Sequence, residues 1–77
     1  MEIRNNGFVV TGGASGLGAA TVRAIVEEGG KAAIFDLADE AGQALADEMG
    51  DAAIYCRCDV ADEESVAAGI GKTMTSF

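Results

Sequence analysis

Between an apolar run and an amphipathic one, the chain carries Thr11-Gly12-Gly13-Ala14-Ser15-Gly16-Leu17-Gly18. Each of the glycines at 12, 16 and 18 has a physical use at the junction of a strand and a helix. Gly12 lets the chain turn sharply off the strand. Gly16 removes a side chain where a pyrophosphate would approach the backbone. Gly18 lets the helix pack close to the strand. Free N–H groups and the positive end of the helix dipole then face the phosphates. The spacing is neither G-x-G-x-x-G nor G-x-x-x-x-G-K-[ST], and no lysine lies near it. Read alone, the same residues also suit a glycine-rich turn that binds nothing.

Ahead of the glycines, Phe8 to Thr11 read as a buried strand. A helix is expected from about Leu17 to Glu28, with Val22, Ile25 and Val26 on its apolar face and Gly29-Gly30 as its stop. Ala32 to Phe35 form a second strand ended by Asp36. A helix over Asp39 to Met49 follows, with Ala38, Ala41, Leu45 and Met49 on one face and Gly50 as its stop. Ala52 to Cys58 form a third strand, ended by Asp59. A last helix starts near Asp62, its apolar face made by Val66, Ile70, Met74 and Phe77. Two helix starts carry alanine, Ala38 and Ala61, where a capping side chain could stand. Asp39 and Asp62 are the substitutes one residue later. The strands are short and nearly continuous in apolar residues, which points to a parallel sheet covered on both faces. The expected order is βαβαβα, with strands arranged 3-2-1. Right-handed crossovers would put the first two helices on one face and the last on the other.

The whole chain, 77 residues, reads as one domain without an internal boundary. With 13 acidic against 5 basic residues and a net charge of −8, it lacks the basic footprint of a nucleic-acid binder. It also lacks the apolar length of a membrane span and the pattern of a signal peptide. An anionic cofactor still suits an acidic chain if backbone N–H groups hold its phosphates. The two cysteines, Cys56 and Cys58, fall on one side of a strand and read as small buried residues of a reduced, cytoplasmic protein.

Two carboxylates extend the glycine signal. Asp36 ends the second strand, 18 residues past Gly18. An acidic residue about 20 residues past such a turn accepts the adenosine ribose hydroxyls, and its charge repels a 2′-phosphate, so NAD is favoured over NADP. Asp59-Val60 ends the third strand at the same edge of the sheet, where a carboxylate suits the adenine amino group and the Val60 backbone the ring edge. An ordinary turn residue is an equal reading of Asp59.

Together these features resemble the N-terminal part of the short-chain dehydrogenase/reductase family. Thr11, Gly12, Gly16 and Gly18 match its T-G-x-x-x-G-x-G pattern, Asp36 its acidic residue after strand two, and Asp59-Val60 its D-V pair. The run Val9 to Gly18, with Asp36-Leu37, is most similar to the branch containing type-2 3-hydroxyacyl-CoA dehydrogenases. The resemblance implies half of a Rossmann doubly wound fold that binds NAD. Gly12, Ser15, Gly16, Leu17 and Gly18 would lie at the phosphates and ribose, Asp36 and Leu37 at the adenosine ribose, and Asp59 and Val60 at the adenine. It also implies that the catalytic Ser, the Tyr-x-x-x-Lys pair and the N-N-A-G region are absent. The one tyrosine is Tyr55, and Asn5-Asn6-Gly7 precedes the first strand. No catalytic residue and no metal ligand is therefore assigned. Three readings follow. The chain is the cofactor-binding part of an oxidoreductase acting on a small hydroxyl or carbonyl substrate, a dinucleotide-binding module without turnover, or a non-functional gene fragment. Self-association through an exposed strand edge, or homo-oligomerisation of a longer parent, is expected.

Overall fold

The computed structural model describes residues 2–77. Its strands are β1 (Gly7–Thr11), β2 (Lys31–Asp36) and β3 (Ala53–Arg57). Its helices are α1 (Gly16–Glu27), α2 (Asp39–Met49) and α3 (Glu63–Ser76), and a 3₁₀ turn over Gly50–Ala52 precedes β3. The sheet is parallel with β2 in the middle, in the order β1-β2-β3. This is the expected order seen from the other edge. Thr11 lies beside Phe35, and Asp36 beside Arg57, so the C-terminal strand ends align along one edge.

Packing divides by alternation along β2. Ala32 and Ile34 face one side, where Val22 and Ile25 of α1 and Leu45 and Ala46 of α2 join Ala53 and Tyr55. Ala33 and Phe35 face the other, with Cys56, Cys58 and, from α3, Val66. The placement of α1 and α2 opposite α3 follows the right-handed crossover rule. Both cysteines are buried and unpaired on the α3 side.

Helix ends account for several backbone groups. After α1, Gly29 N–H donates to Val26 O and Gly30 N–H to Ile25 O, a Schellman closure made possible by Gly29 at φ +85°. Asp62 is the N-cap of α3, its carboxylate accepting from Glu64 N–H. The expected substitution fails at α2. Ala38 stands at the N-cap without a side-chain bond, and Asp39 is already helical. Just ahead of the helix, the Asp36 carboxylate accepts from the Leu37 and Ala38 N–H groups, which belong to the turn between β2 and α2 rather than to the first turn of α2.

Two helix faces differ from expectation. In α2 the buried residues are Gly42, Leu45 and Ala46, while Ala38 and Ala41 are exposed. In α3 the one buried residue is Gly69, while Ile70 and Met74 point outward. The cause is the same in both. A Cβ on Gly42 would lie 2.3 Å from the Tyr55 ring, and one on Gly69 would lie 2.8 Å from the Phe35 ring. The aromatic rings occupy the space that a periodicity of apolar side chains assigns to the helices. The third strand also starts later than expected, at Ala53, because the 3₁₀ turn takes up Ala52. Among the described residues no helix is long and apolar enough to cross a membrane.

Candidate functional site

Thr11, Gly12, Phe35, Asp36, Leu37, Cys58, Asp59 and Val60 line a groove of about 360 Å³ at the C-terminal edge of the sheet. This is the position at which an open parallel sheet leaves a crevice between its strand ends and the loops above. A larger concavity of about 620 Å³, lined by Glu2, Ile3, Arg4 and Glu28, lies beyond the opposite edge. It is wider, but it brings together no glycine turn, no helix N-terminus and no strand C-terminus.

The glycine turn borders the groove. Gly12 (φ +66°) and Gly16 (φ +39°) hold left-handed backbone that a β-carbon disfavours, and the space before each is open. Gly18 is required by contact instead, because a β-carbon there would sit 2.0 Å from Gly12 O. The close approach of α1 is thus to the turn itself. Ser15 is the N-cap of α1 with extended backbone, and its side chain makes no capping bond. Among the described residues, no N-cap side chain accepts from the N–H groups at the start of α1. The first turn of α1 carries no acidic residue, whereas α2 begins with Asp39 and Glu40 and α3 with Glu63 and Glu64. No acidic residue of its own first turn compensates the positive end of the α1 dipole.

Asp36 joins the turn to the groove. Its Oδ2 accepts from Ala14 N–H at 3.0 Å, and its Oδ1 from Leu37 N–H at 2.7 Å and Ala38 N–H at 3.0 Å. The Ala38 N–H foremost, with those of Ala14 and Leu37, holds this carboxyl below the usual carboxylate range, and partial burial opposes them. An ionised carboxylate offers about four acceptor positions, so three bonds leave room for one more donor.

Asp59 behaves in part as the ordinary turn residue it also resembled. Its Oδ1 accepts from Ala61 N–H, its N–H donates to Ser65 Oγ, and its carbonyl accepts from Asp62 N–H. Leu37, Val60 and Leu17 are exposed. The structure thus brings Gly12, Asp36, Leu37, Asp59 and Val60 to one groove, and places Ser15, Gly16, Leu17 and Gly18 on the adjoining turn and helix start. Sequence reading missed the Ala14 N–H, a backbone donor with no side-chain signature. It also missed Phe35 and Cys58 as lining, although their place at the last positions of β2 and just past β3 was a usable signal.

The residues fit a nicotinamide dinucleotide. The open space before Gly12 and Gly16, the free helix N-terminus and the remaining acceptor capacity of Asp36 are the donors, clearance and acceptor such a molecule needs.

A sequence model of the family described as short chain dehydrogenase matches residues 6–77. The chain belongs to the short-chain dehydrogenase family. It is 42% identical, over 99% of its length, to the 2,5-dichloro-2,5-cyclohexadiene-1,4-diol dehydrogenase of Sphingobium indicum. It is 44% identical, over 90% of its length, to the 3-alpha-(or 20-beta)-hydroxysteroid dehydrogenase of Mycobacterium bovis. It covers 30% of the first of these proteins and 26% of the second. Among solved structures it resembles a type-2 3-hydroxyacyl-CoA dehydrogenase from Mycobacterium avium, with TM-score 0.86 and 42% identity over 99% of this chain and 29% of that one. It also resembles a 3-ketoacyl-(acyl-carrier-protein) reductase from Brucella melitensis solved with NADH, with TM-score 0.91 and 26% identity over 97% of this chain and 31% of that one. Both structures extend well beyond the family segment described here.

Proposed function

We propose that this chain is the dinucleotide-binding segment of a short-chain oxidoreductase that uses NAD rather than NADP. One observation carries the reading: the Asp36 carboxylate stands at the rim of the groove and is bonded to the glycine turn through Ala14. The N–H groups at the start of α1, from Gly16 to Gly18, hold the pyrophosphate, and the bare backbone at Gly12 and Gly16 gives it clearance. Ser15 and Leu17 border the phosphates and the neighbouring ribose. Asp36, with Leu37 beside it, accepts an adenosine ribose hydroxyl through its free acceptor position. Asp59 and Val60 border the adenine. A 2′-phosphate would bring a second anion against the ionised Asp36, which is the basis of the NAD preference.

When bound, the dinucleotide supplies hydride transfer at its nicotinamide. The residues of this chain bind and orient it; none is assigned to move a proton. Tyr55 is unsuited to that task, because burial and the Asp39 carboxylate push its hydroxyl up to about 12. That observation favours a second reading, binding without turnover by this chain alone. For a parent protein we propose interconversion of hydroxyl and carbonyl groups, with 3-hydroxyacyl-CoA as one substrate class, supported by the likeness to the Mycobacterium avium protein. A cytoplasmic setting is part of the same proposal, supported by the two unpaired thiols.

Calorimetric titration of NADH and NADPH into the chain and its Asp36→Ala variant tests the reading. NADH is expected to bind the native chain more tightly, and the variant to lose that preference. Binding of neither dinucleotide removes the proposal. An unchanged preference in the variant removes Asp36 from it.

A further inference from the structure

The turn between β2 and α2 is fixed from outside, by β3. Tyr55 and Arg57 are two apart on that strand and so point to one face. The single Tyr55 hydroxyl proton is donated to Asp39 Oδ1 at 2.6 Å or, in its other direction, to the Asp36 carbonyl at 2.9 Å. The Arg57 Nη1 donates to Asp39 Oδ2 at 2.7 Å and to the Leu37 carbonyl at 3.2 Å. Just past the strand, Cys58 N–H donates to the Asp36 carbonyl at 3.0 Å. Gly42 provides the space for the Tyr55 ring. Asp39, held below the usual carboxylate range first by Tyr55 and then by Arg57, remains ionised and neutralises the guanidinium.

These bonds hold the main chain of the residues that carry the Asp36 carboxylate. They also occupy a guanidinium that reaches the carbonyl of Leu37, the residue next to Asp36. A carboxylate held in place repels a 2′-phosphate there. A guanidinium released from Asp39 would attract one, since arginine pairs well with phosphate oxygens.

We propose that Tyr55, Arg57 and Asp39 form a positioning clamp that sets the preference for a dinucleotide with a free adenosine 2′-hydroxyl over one with a 2′-phosphate, with Asp39 masking Arg57. The clamp rests on the cofactor reading above and goes beyond it. Asp36 supplies the acceptor, and the three residues of the clamp keep it in place and keep the opposing charge occupied.

The test uses NADH and NADPH titrated into the 77-residue chain and three variants. Asp39→Asn is expected to weaken NADH by about three- to tenfold and to tighten NADPH by a similar factor. Adding Arg57→Ala to Asp39→Asn is expected to abolish the NADPH gain. A parallel loss for both dinucleotides in Asp39→Asn would reduce the cluster to a structural role and overturn the proposal. So would an NADPH gain that survives in the double variant. Native chain that binds neither dinucleotide would instead remove the cofactor reading itself, and the clamp's function with it. Tyr55→Phe keeps the ring beside Gly42 and loses only the hydroxyl, so it guards against a general folding effect. Its amide exchange is expected to quicken at Leu37 and Ala38 while the core of β2 is unchanged. Unchanged exchange at those two amides would also overturn the proposal.

Discussion

Asp36 combines two demands on one side chain: it orders the turn that leads into α2, and it ties the glycine turn to the second strand. Its place at a strand end was legible in the sequence. Its bond to Ala14 was not, because backbone donors carry no residue-type signal. The lowered carboxyl has a direct consequence for stability. A group whose folded pKa lies below its unfolded value stabilises the fold above the unfolded value, and that contribution is lost as pH falls through the folded one. The melting temperature of the native chain should therefore exceed that of Asp36→Asn near neutral pH, with the gap narrowing as pH falls below about 4. Thermal melts across that range measure it; a constant gap would mean the three N–H bonds do not favour the ionised form. Gly18 makes the steric counterpart. A β-carbon 2.0 Å from Gly12 O cannot be accommodated without moving the turn. Gly18→Ala is expected to cost about 1–3 kcal/mol or more. In a domain of this size each kcal/mol lowers the melting temperature by about 4–8 °C. A variant melting with the native chain would contradict that contact.

Along the elements, legibility followed what apolar periodicity registers. The strands, the α1 face through Val22 and Ile25, and the Gly29-Gly30 stop follow from side chains and turn residues that behave as their types predict. The faces of α2 and α3 do not. Each meets the sheet through a glycine, Gly42 against Tyr55 and Gly69 against Phe35, and glycine adds nothing to a count of apolar side chains. Of the α2 face expected on Ala38, Ala41, Leu45 and Met49, Leu45 is buried and Met49 half-buried, while the two alanines are exposed. The knob in each contact is a ring on the strand and the hole is in the helix, a complementarity visible only when both elements are considered together. Gly42→Ala should drive the Tyr55 ring from its place, destabilise the chain by about 1–3 kcal/mol, and loosen the Tyr55–Asp39 bond. Denaturant unfolding reads the first effect and tyrosine fluorescence the second. Stability equal to that of the native chain would show that the ring has room to move.

For the molecule as a whole, the burial is uneven. β2 is covered on both faces, while among the described residues β1 pairs only with β2 and leaves its other edge free. On the α3 side Val9 is 45% exposed, Ile70 44% and Met74 76%. The end of α3 reaches β1 through Phe77, which lies against Gly7 with the Lys31 ammonium 5.8 Å from its ring. A free strand edge with apolar side chains near it invites pairing with another chain. Sedimentation of the purified chain is expected to show association that grows with concentration, and a coupled NADH assay with hydroxyacyl substrates is expected to show no turnover. A concentration-independent monomer would contradict the first, and turnover proportional to chain concentration the second. Where a dinucleotide sits can be read from backbone amide shifts recorded while NAD is titrated into isotopically labelled chain. The largest changes are expected at Ala14, Gly16, Leu17, Leu37 and Val60, around the groove and the start of α1. No changes, or changes centred on Ile3, Arg4 and Glu28 at the opposite edge of the sheet, would contradict that placement.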